Sequence, residues 1–476
     1  PMSTALHRTR AFCGRLLLEV VQKKAILHGV RGGASSTPDM GIGNSRVLVL
    51  LMSILWFSAV GCATQQSLHP ALGRWEGYAT MGERRMEMSL DILMNDQTPE
   101  ARITVPRERV LGKRAPNLDI SLPKIRFSIP VAGNQSSFHG RIAGGSMTGS
   151  ISLGQRNMNI ELRRTGDVPA RPYREEQIEF ANEDVKLSGS LLVPTGNERH
   201  PAVVLIHGSS TPDRDDFRFY ADQFVRRGIA ALIYDKRSYA GEGGMSQVDL
   251  RDLAGDATAA VVALRRRADI DPTRIGLWGH SQGGWVVPMV AAGLDSLSFV
   301  VGFSAPGVTY ADLDKFANAS RLRANGFAQA EIDQALTALR QVDAFVRGGG
   351  ERLKLQLALD SFHRNRWASF TTLPRVAPTL GDIQSWLRWR NLDLDPVEYW
   401  RMVRAPVLLV YGELDDVVPV DTSAARIRDA LQQAGNPNVV VRIFPKEDHA
   451  ISGADDFPEF MAAWMVEQTK RKGPIR

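Results

Sequence analysis

Between Leu72 and Arg164, apolar and polar residues alternate with a period of two in short segments such as GRWEGYATM, EARITVP and RNMNIELRRT, with Gly, Asn and Pro between them. Successive side chains of a strand point to opposite faces, so this alternation predicts antiparallel strands with one buried face. About 95 residues patterned in this way predict an all-β accessory domain over 70–165, a small barrel or a sandwich. Prolines and charges replace the alternation in TGDVPARPYREE, Thr165 to Glu176, which reads as a linker. Beyond it the pattern changes. Two strands, EQIEFANE and VKLSGSLLVP, precede six continuous apolar runs: AVVLIHG, IAALIYD, RIGLWGH, LSFVVGF, PVLLVYG and NVVVRIF. Helical stretches alternate with these runs over Asp216–Arg227, Gln247–Arg267, Gly284–Gly293, Thr422–Gln433 and Phe457–Lys470. Strands that are apolar on both faces and alternate with helices predict a mostly parallel, doubly wound α/β sheet over 176–476.

One connection is out of proportion to the rest. About a hundred residues, Val308 to Arg404, separate two of the apolar runs, with helical periodicity and Trp367, Trp386, Trp389 and Trp400 among them. A long ordered insertion above a strand end predicts a helical cap. Its tryptophans either pack the cap helices together or line an acyl or aromatic pocket.

Composition changes this picture only at the front of the chain. The 476 residues are 43% hydrophobic and 23% charged, ordinary for a globular protein. A net charge of +6 and a pI near 9.4 raise the question of a nucleic-acid partner. Residues 1–61 hold seven Lys/Arg against Glu19 and Asp39, so they carry +5 and leave about +1 for everything after them. The basicity therefore gives no reason to expect a nucleic acid.

That front segment reads as a targeting signal. MGIGNSRVLVLLMSILWFSAVGCATQQ has one charge at Arg46, an apolar run from Val47 to Val60 that is short for a bilayer span, and then Gly61 and Cys62. AVGC resembles the lipobox of bacterial lipoproteins, in which the cysteine becomes the first mature residue and carries lipid. The resemblance implies lipid attachment at Cys62, export to the periplasm or cell envelope, and membrane attachment without a spanning helix. An ordinary cleaved signal or a short membrane anchor is the alternative. Residues 1–39 match neither a signal nor a domain and are expected to lie upstream of the true start, so that 1–62 is upstream segment and signal and the mature chain is expected to begin at the lipidated Cys62. Cys13, the only other cysteine, would then be lost, and no internal disulfide is expected.

Candidate chemistry centres on Gly279-His280-Ser281-Gln282-Gly283, a G-x-S-x-G pentapeptide between an apolar run and a small-residue helix. A strand that turns sharply into a helix presents the serine hydroxyl at the sheet edge. A serine hydroxyl is a poor nucleophile at neutral pH, so a histidine base and an orienting carboxylate are needed. PVLLVYGELDDVVPV places Asp415 and Asp416 beyond one later strand, and VVVRIFPKEDHAISG places His449 beyond the next. Both loops lie at strand C-terminal ends, where an open α/β sheet forms its crevice.

With these residues, Glu176 to the C-terminus resembles an α/β-hydrolase. Within that superfamily it resembles bacterial carboxylesterases that carry an N-terminal β domain and an inserted helical cap. The resemblance implies Ser281 as nucleophile, His449 as base and Asp415 as acid, with Asp416 as the rival carboxylate. His207-Gly208 in LIHGSSTPDRDD resembles the family's HG element, which implies an oxyanion hole built from the backbone amides of Ser209 and Gln282. Asp213, Arg214 and Asp215 either order that loop or form a solvated charge run. YDKRSYAGEGG resembles a YDKRG loop of the same esterases, with Ser238 where glycine is usual, and Asp235, Lys236 and Arg237 are expected to form an ion-pair cluster beneath the site. His280 is expected to pack rather than react.

The implied function is hydrolysis of a small-molecule carboxylic ester through an acyl-enzyme. No Cys/His group has zinc spacing, and no glycine cluster forms a phosphate loop or dinucleotide fingerprint, so neither metal nor cofactor is expected. Rival readings are a serine peptidase, for which 95 residues are too few to make the usual propeller, an acyltransferase or thioesterase, and an inactive binding lipoprotein. The β domain has either a structural or substrate-restricting role, or one in binding carbohydrate or envelope.

Overall fold

A computed structural model describes residues 70–95, 97–131, 134–153, 156–209, 213–237 and 248–470. The signal-like segment, Cys13, Cys62 and Ser238 lie outside the described residues.

The period-two segments form nine antiparallel strands: β1 (Gly73–Met81), β2 (Arg84–Asn95), β3 (Thr98–Val105), β4 (Val110–Ala115), β5 (Asp119–Ser121), β6 (Lys124–Val131), β7 (Asn134–Ala143), β8 (Ser146–Leu153) and β9 (Arg156–Gly166). They pair in the order β4-β3-β2-β1-β9-β8-β7-β6-β5. Alternate residues such as Trp75, Leu90, Phe127, Phe138, Ile151 and Ile160 meet in one core. The buried Trp75 indole donates to Ala71 O at 2.8 Å. The sheet also curls on itself: just beyond β4, Pro116 O accepts from Ser128 N–H on β6 at 2.7 Å. One sheet around one core is a barrel-like arrangement, not two stacked sheets.

The predicted linker is shorter than its composition indicates. β9 runs to Gly166, which pairs with Arg74, and β10 (Tyr173–Asn182) begins at Tyr173, which pairs with Pro194 of β11 (Val185–Pro194). Cross-strand pairing holds residues that Pro and charge alone mark as loop, and only 167–172 connects the two sheets.

The apolar runs become β12 (His200–Ile206), β13 (Ala230–Tyr234), β14 (Ile270–His280), β15 (Val300–Phe303), β16 (Val407–Gly412) and β17 (Val439–Phe444). With β10 and β11 they make an eight-stranded sheet in the order β10-β11-β13-β12-β14-β15-β16-β17, parallel from β13 through β17. Their residues are apolar throughout because both faces are covered. On β12, Ala202, Val204 and Ile206 pack towards helices Leu250–Arg265, Gly283–Gly293 and Val420–Gln433, and Val203 and Leu205 towards helices Arg218–Val225 and Phe457–Lys470. The first of these helices starts at Leu250 instead of Gln247, because Asp249 caps it in a reciprocal capping box with Asp252.

Between β15 and β16 the insertion folds as helices Tyr310–Ala324, Gln329–Val346 and Arg352–Phe362 followed by shorter turns. It has its own core, which includes Leu322, Leu339, Leu359 and Trp367. Trp400 instead joins the core of the large sheet, and Trp386 stacks on Trp389 at 5.0 Å with 49% of its surface exposed. Packing therefore accounts for Trp367 and Trp400. Arg390 bridges to Asp249 at 2.9 Å, and Arg426 ties Gly307 O and Asp395 together at 2.6 and 2.7 Å, which fixes the insertion to the sheet below it.

Candidate active site

β12 and β14 are parallel neighbours with Ile206 opposite Gly279, so the chain leaves both strands at one height. β13 and β14 lie on opposite sides of β12, which makes this a topological switch point where a crevice opens at the strand C-terminal ends. At the end of β14 the backbone turns within two residues. Ser281 has φ 53°, and the helix starts at Gly283.

A left-handed backbone is unfavourable for serine, and its surroundings hold it there. Ser281 N–H donates to Phe303 O at 2.9 Å, and Ser281 O accepts from Gly284 N–H at 2.7 Å. Gly279 and Gly283 leave room and do not themselves turn the chain, since neither has a positive φ. A Cβ on Gly279 would sit 2.5 Å from Gly283 O, and one on Gly283 would sit 2.6 Å from Ile206 O. They allow helix and strands to touch. Gln282 precedes the first helical turn, so its amide has no acceptor within the helix and belongs to the set that attracts anions.

Asp415 and His449 are brought together. His449 Nδ1 lies 2.7 Å from Asp415 Oδ2, and Asp415 Oδ1 accepts from the Val417 and Val418 amides at 2.9 and 2.8 Å. The buried carboxylate is thus satisfied on both oxygens, as burial demands. Asp416 faces solvent. The loop after β17 is fastened to the sheet by Ser304, a fully buried residue at φ 47° whose Oγ donates to His449 O at 2.9 Å. The His449 ring also lies 5.2 Å from the ring of His280, the residue before Ser281. His280 packs on Phe303, with ring centroids 4.3 Å apart. Ser304 is not evident from sequence, because FSAPG carries no mark of a residue that reaches a loop 145 positions away.

The triplet expected to form an ion-pair cluster divides three ways. Asp235 pairs with Arg214 and Arg237 pairs with Asp256, while Lys236 turns towards the crevice. Lys236 Nζ donates to Gly208 O at 2.8 Å and to Gln282 Oε1 at 2.5 Å. Gly208 O belongs to the same peptide unit as the Ser209 N–H, and in a trans peptide the two point in opposite directions. The lysine thus orients one predicted oxyanion amide through its peptide and holds the side chain of the residue that carries the other. Its position two residues past a strand bordering β12 is the sequence signal for this role. The loop charges are ordered too: Asp213 Oδ1 accepts from Asp215 N–H at 2.9 Å, and Asp215 accepts from the fully buried Arg218 at 2.8 Å.

Burial sets the electrostatics. It lowers Lys236 to about 7. Burial, then the charge on Lys236, pushes His207 down to about 3, and burial, then His449, does the same to His280. Burial opposes ionisation of Glu175 and Asp215, but the Arg218 guanidinium outweighs it and holds both below the usual carboxylate range. Among the described residues no group of His, Cys, Asp or Glu is arranged to hold a metal ion, and no helix is long and apolar enough to cross a membrane.

A sequence profile described as "Alpha/beta hydrolase family" matches residues 203–464, from β12 into the last helix. The chain belongs to the alpha/beta hydrolase family. The hydrolase is 26% identical over 273 residues to the quorum-quenching protein AidA of Acinetobacter baumannii, a match that covers 54% of this chain and 83% of that protein. It is 36% identical over 123 residues to the thiohydrolase aneE of Aspergillus aculeatus and 32% identical over 113 residues to the esterase EstD of Thermotoga maritima. Those matches cover 25% and 22% of this chain and 37% and 27% of the two relatives. Among solved structures, an esterase of Pyrococcus furiosus aligns with a TM-score of 0.41 at 18% identity, covering 63% of this hydrolase and 91% of that chain.

The two depressed histidines set the acid stability. Each stays neutral in the fold while the unfolded chain takes up a proton near pH 6.5, so stability is present above that pH and is lost as pH falls towards about 3. Each contributes a slope of about 1.4 kcal/mol per pH unit below 6.5. Urea unfolding between pH 6.5 and about 5, above the range in which Glu175 and Asp215 titrate, should show this loss, and His207→Phe should remove about half of the slope.

Proposed function

We propose that the chain is a serine carboxylic-ester hydrolase that works through an acyl-enzyme. The observation that carries this reading is the juxtaposition at one sheet edge of Ser281 on its strained turn with the hydrogen-bonded Asp415–His449 pair. In this reading His449 Nε2 takes the proton of the Ser281 hydroxyl as Oγ attacks the ester carbonyl, and Asp415 holds the imidazole in the tautomer with Nδ1 protonated. The Ser209 and Gln282 amides stabilise the oxyanion. Collapse expels the alcohol, which takes its proton from His449. Water, deprotonated by the same histidine, then attacks the acyl-enzyme, and the acid leaves with Ser281 restored.

A thioester is the second substrate class to test, since one relative is a thiohydrolase matched at 36% identity. The same acyl-enzyme serves both, and the leaving group alone differs. We also propose that the mature chain begins at Cys62, carries lipid there and is held at the bacterial cell envelope. The support is the apolar run of lipoprotein-signal length ending in AVGC.

The chain from Ala63 onward should hydrolyse short-chain p-nitrophenyl esters, and Ser281→Ala should abolish turnover. A serine-directed organophosphonate should add to Ser281, and peptide mapping that finds no adduct there sinks the reading. Assaying matched esters and thioesters ranks the two substrate classes.

Lys236→Met should lower kcat about tenfold or more, as loss of oxyanion support does, while the melting temperature holds or rises because an ammonium whose burial is unfavourable has been removed. Unchanged kcat would leave Lys236 without a part in the site.

Mass spectrometry of the mature N-terminus, made in a bacterium that lipidates exported proteins, should find acylated Cys62. An unmodified start at Ala63 or later counts against the anchor.

A further inference from the structure

The nine-stranded domain reaches the loop that carries His449. Arg109 stands immediately before β4 at φ 53°, with its N–H bonded to Pro106 O at 3.0 Å. Its side chain leaves the β domain altogether. Nη1 donates to Ala450 O at 3.1 Å and approaches the Tyr220 hydroxyl at 3.4 Å, Nη2 donates to Ala454 O at 2.9 Å, and the guanidinium lies 5.3 Å from the centre of the Phe457 ring. Ala450 is the residue after His449.

The loop between β17 and the last helix needs such support. Lys446 and Ile451 have φ 60° and 51°, and for a β-branched residue such as Ile451 that backbone is a true outlier. Ile451 is fully buried in the core, so its conformation is imposed by packing. Backbone of this kind persists only where surrounding contacts over-determine it. Asp448 caps the Ala450 and Ser452 amides at 3.0 and 3.1 Å, and Ser304 holds His449 O. Arg109 adds two charge-assisted bonds from another domain, one on the peptide that joins Ala450 to Ile451.

The same strand supports the opposite wall of the site. Arg114 N–H donates to Asp215 Oδ2 at 3.2 Å, and Lys113 pairs with Asp216. Asp215 is in turn bound to Arg218, which also grips Glu175 at 2.8 and 2.9 Å. Asp215 and Asp216 belong to the segment that follows Ser209, and Glu175 lies on β10.

We propose that the β domain is a working part of the active site: Arg109 is a positioning residue that holds the His449 loop through the carbonyls of Ala450 and Ala454, while Lys113 and Arg114 steady the Ser209 side. This rests on the serine-hydrolase reading. A proton carrier displaced by a fraction of its hydrogen-bond length loses alignment with the hydroxyl it must deprotonate, without any change in how the substrate is bound.

The test uses the full chain with Arg109→Ala, Arg109→Lys and, as a control, Arg141→Ala, an exposed residue on β7. Hydrolysis of p-nitrophenyl acetate from about pH 5 to 9, the rate of Ser281 phosphonylation and the melting temperature are measured together. Arg109→Ala should lower kcat and the labelling rate about ten- to a hundredfold, leave KM within about twofold and move the acidic limb of the kcat profile. Arg109→Lys should recover part of the loss, because an ammonium reaches one of the two carbonyls. Arg141→Ala should match the wild type. Wild-type kcat and pH profile in Arg109→Ala overturn the proposal. Should that variant fail to fold, wild-type values in both Arg109→Lys and Arg109→Gln overturn it equally. A wild-type protein that takes no label on Ser281 defeats the serine reading and this role with it, whereas a labelled wild type with unaltered variants defeats the positioning role alone.

Discussion

The contact between Gly283 and Ile206 O is the constraint on which the site depends. With Ile206 O 2.6 Å from the place of a Cβ, the helix can start against the end of β12 only if residue 283 has no side chain. That start allows one residue, Ser281, to take the whole change of direction between β14 and the helix, at a backbone angle that serine rarely adopts. The Gln282 amide at the crevice follows from the same start, and so does the nearness of Lys236, which can span Gly208 O and Gln282 Oε1 because the two chain segments lie side by side. The positions of Ser281, the Gln282 amide and Lys236 are thus consequences of one close approach between a helix and a sheet.

Around this centre the fold uses charge where it cannot use apolar packing. The sheet's faces are covered by helices, but its C-terminal edge is made of loops whose backbone groups need partners. Asp415 takes two loop amides besides His449, Asp448 caps the turn after it, and Ser304 and Arg109 hold successive carbonyls at 449 and 450. Arg218, fully buried and paired with Glu175 and Asp215, does for the opposite loop what Arg109 does for the histidine loop. Buried pairs of this kind add little net stability but fix geometry.

The part of the molecule above the site is built on a different principle. Part of the insertion has a core of its own, while Tyr310, Leu313, Leu387, Leu394, Trp400 and Val403 pack on the core of the sheet, and arginine contacts such as Arg390 with Asp249 and Arg426 with Asp395 add to that join. Its first three helices therefore pack mainly on one another, and its later turns pack on the sheet.

The alternation of Trp75, Leu90 and Ile160 with polar neighbours, and the unbroken apolar runs of β12 to β17, determined both sheets, because side-chain periodicity reports directly which faces are buried. Ser281, His449 and Asp415 were legible for a related reason: each lies just past an apolar run, and strand ends in a parallel sheet share one edge. Composition failed at 165–176, where pairing between strands extended the sheets through residues that look like loop. The tertiary structure set the rival Asp416 aside by pairing Asp415 with His449, and it alone decided that Lys236 parts company with its charged neighbours and that Arg109 crosses to the histidine loop. Those outcomes depend on where side chains from remote segments arrive once the cores have packed, a distance in space that local sequence does not contain.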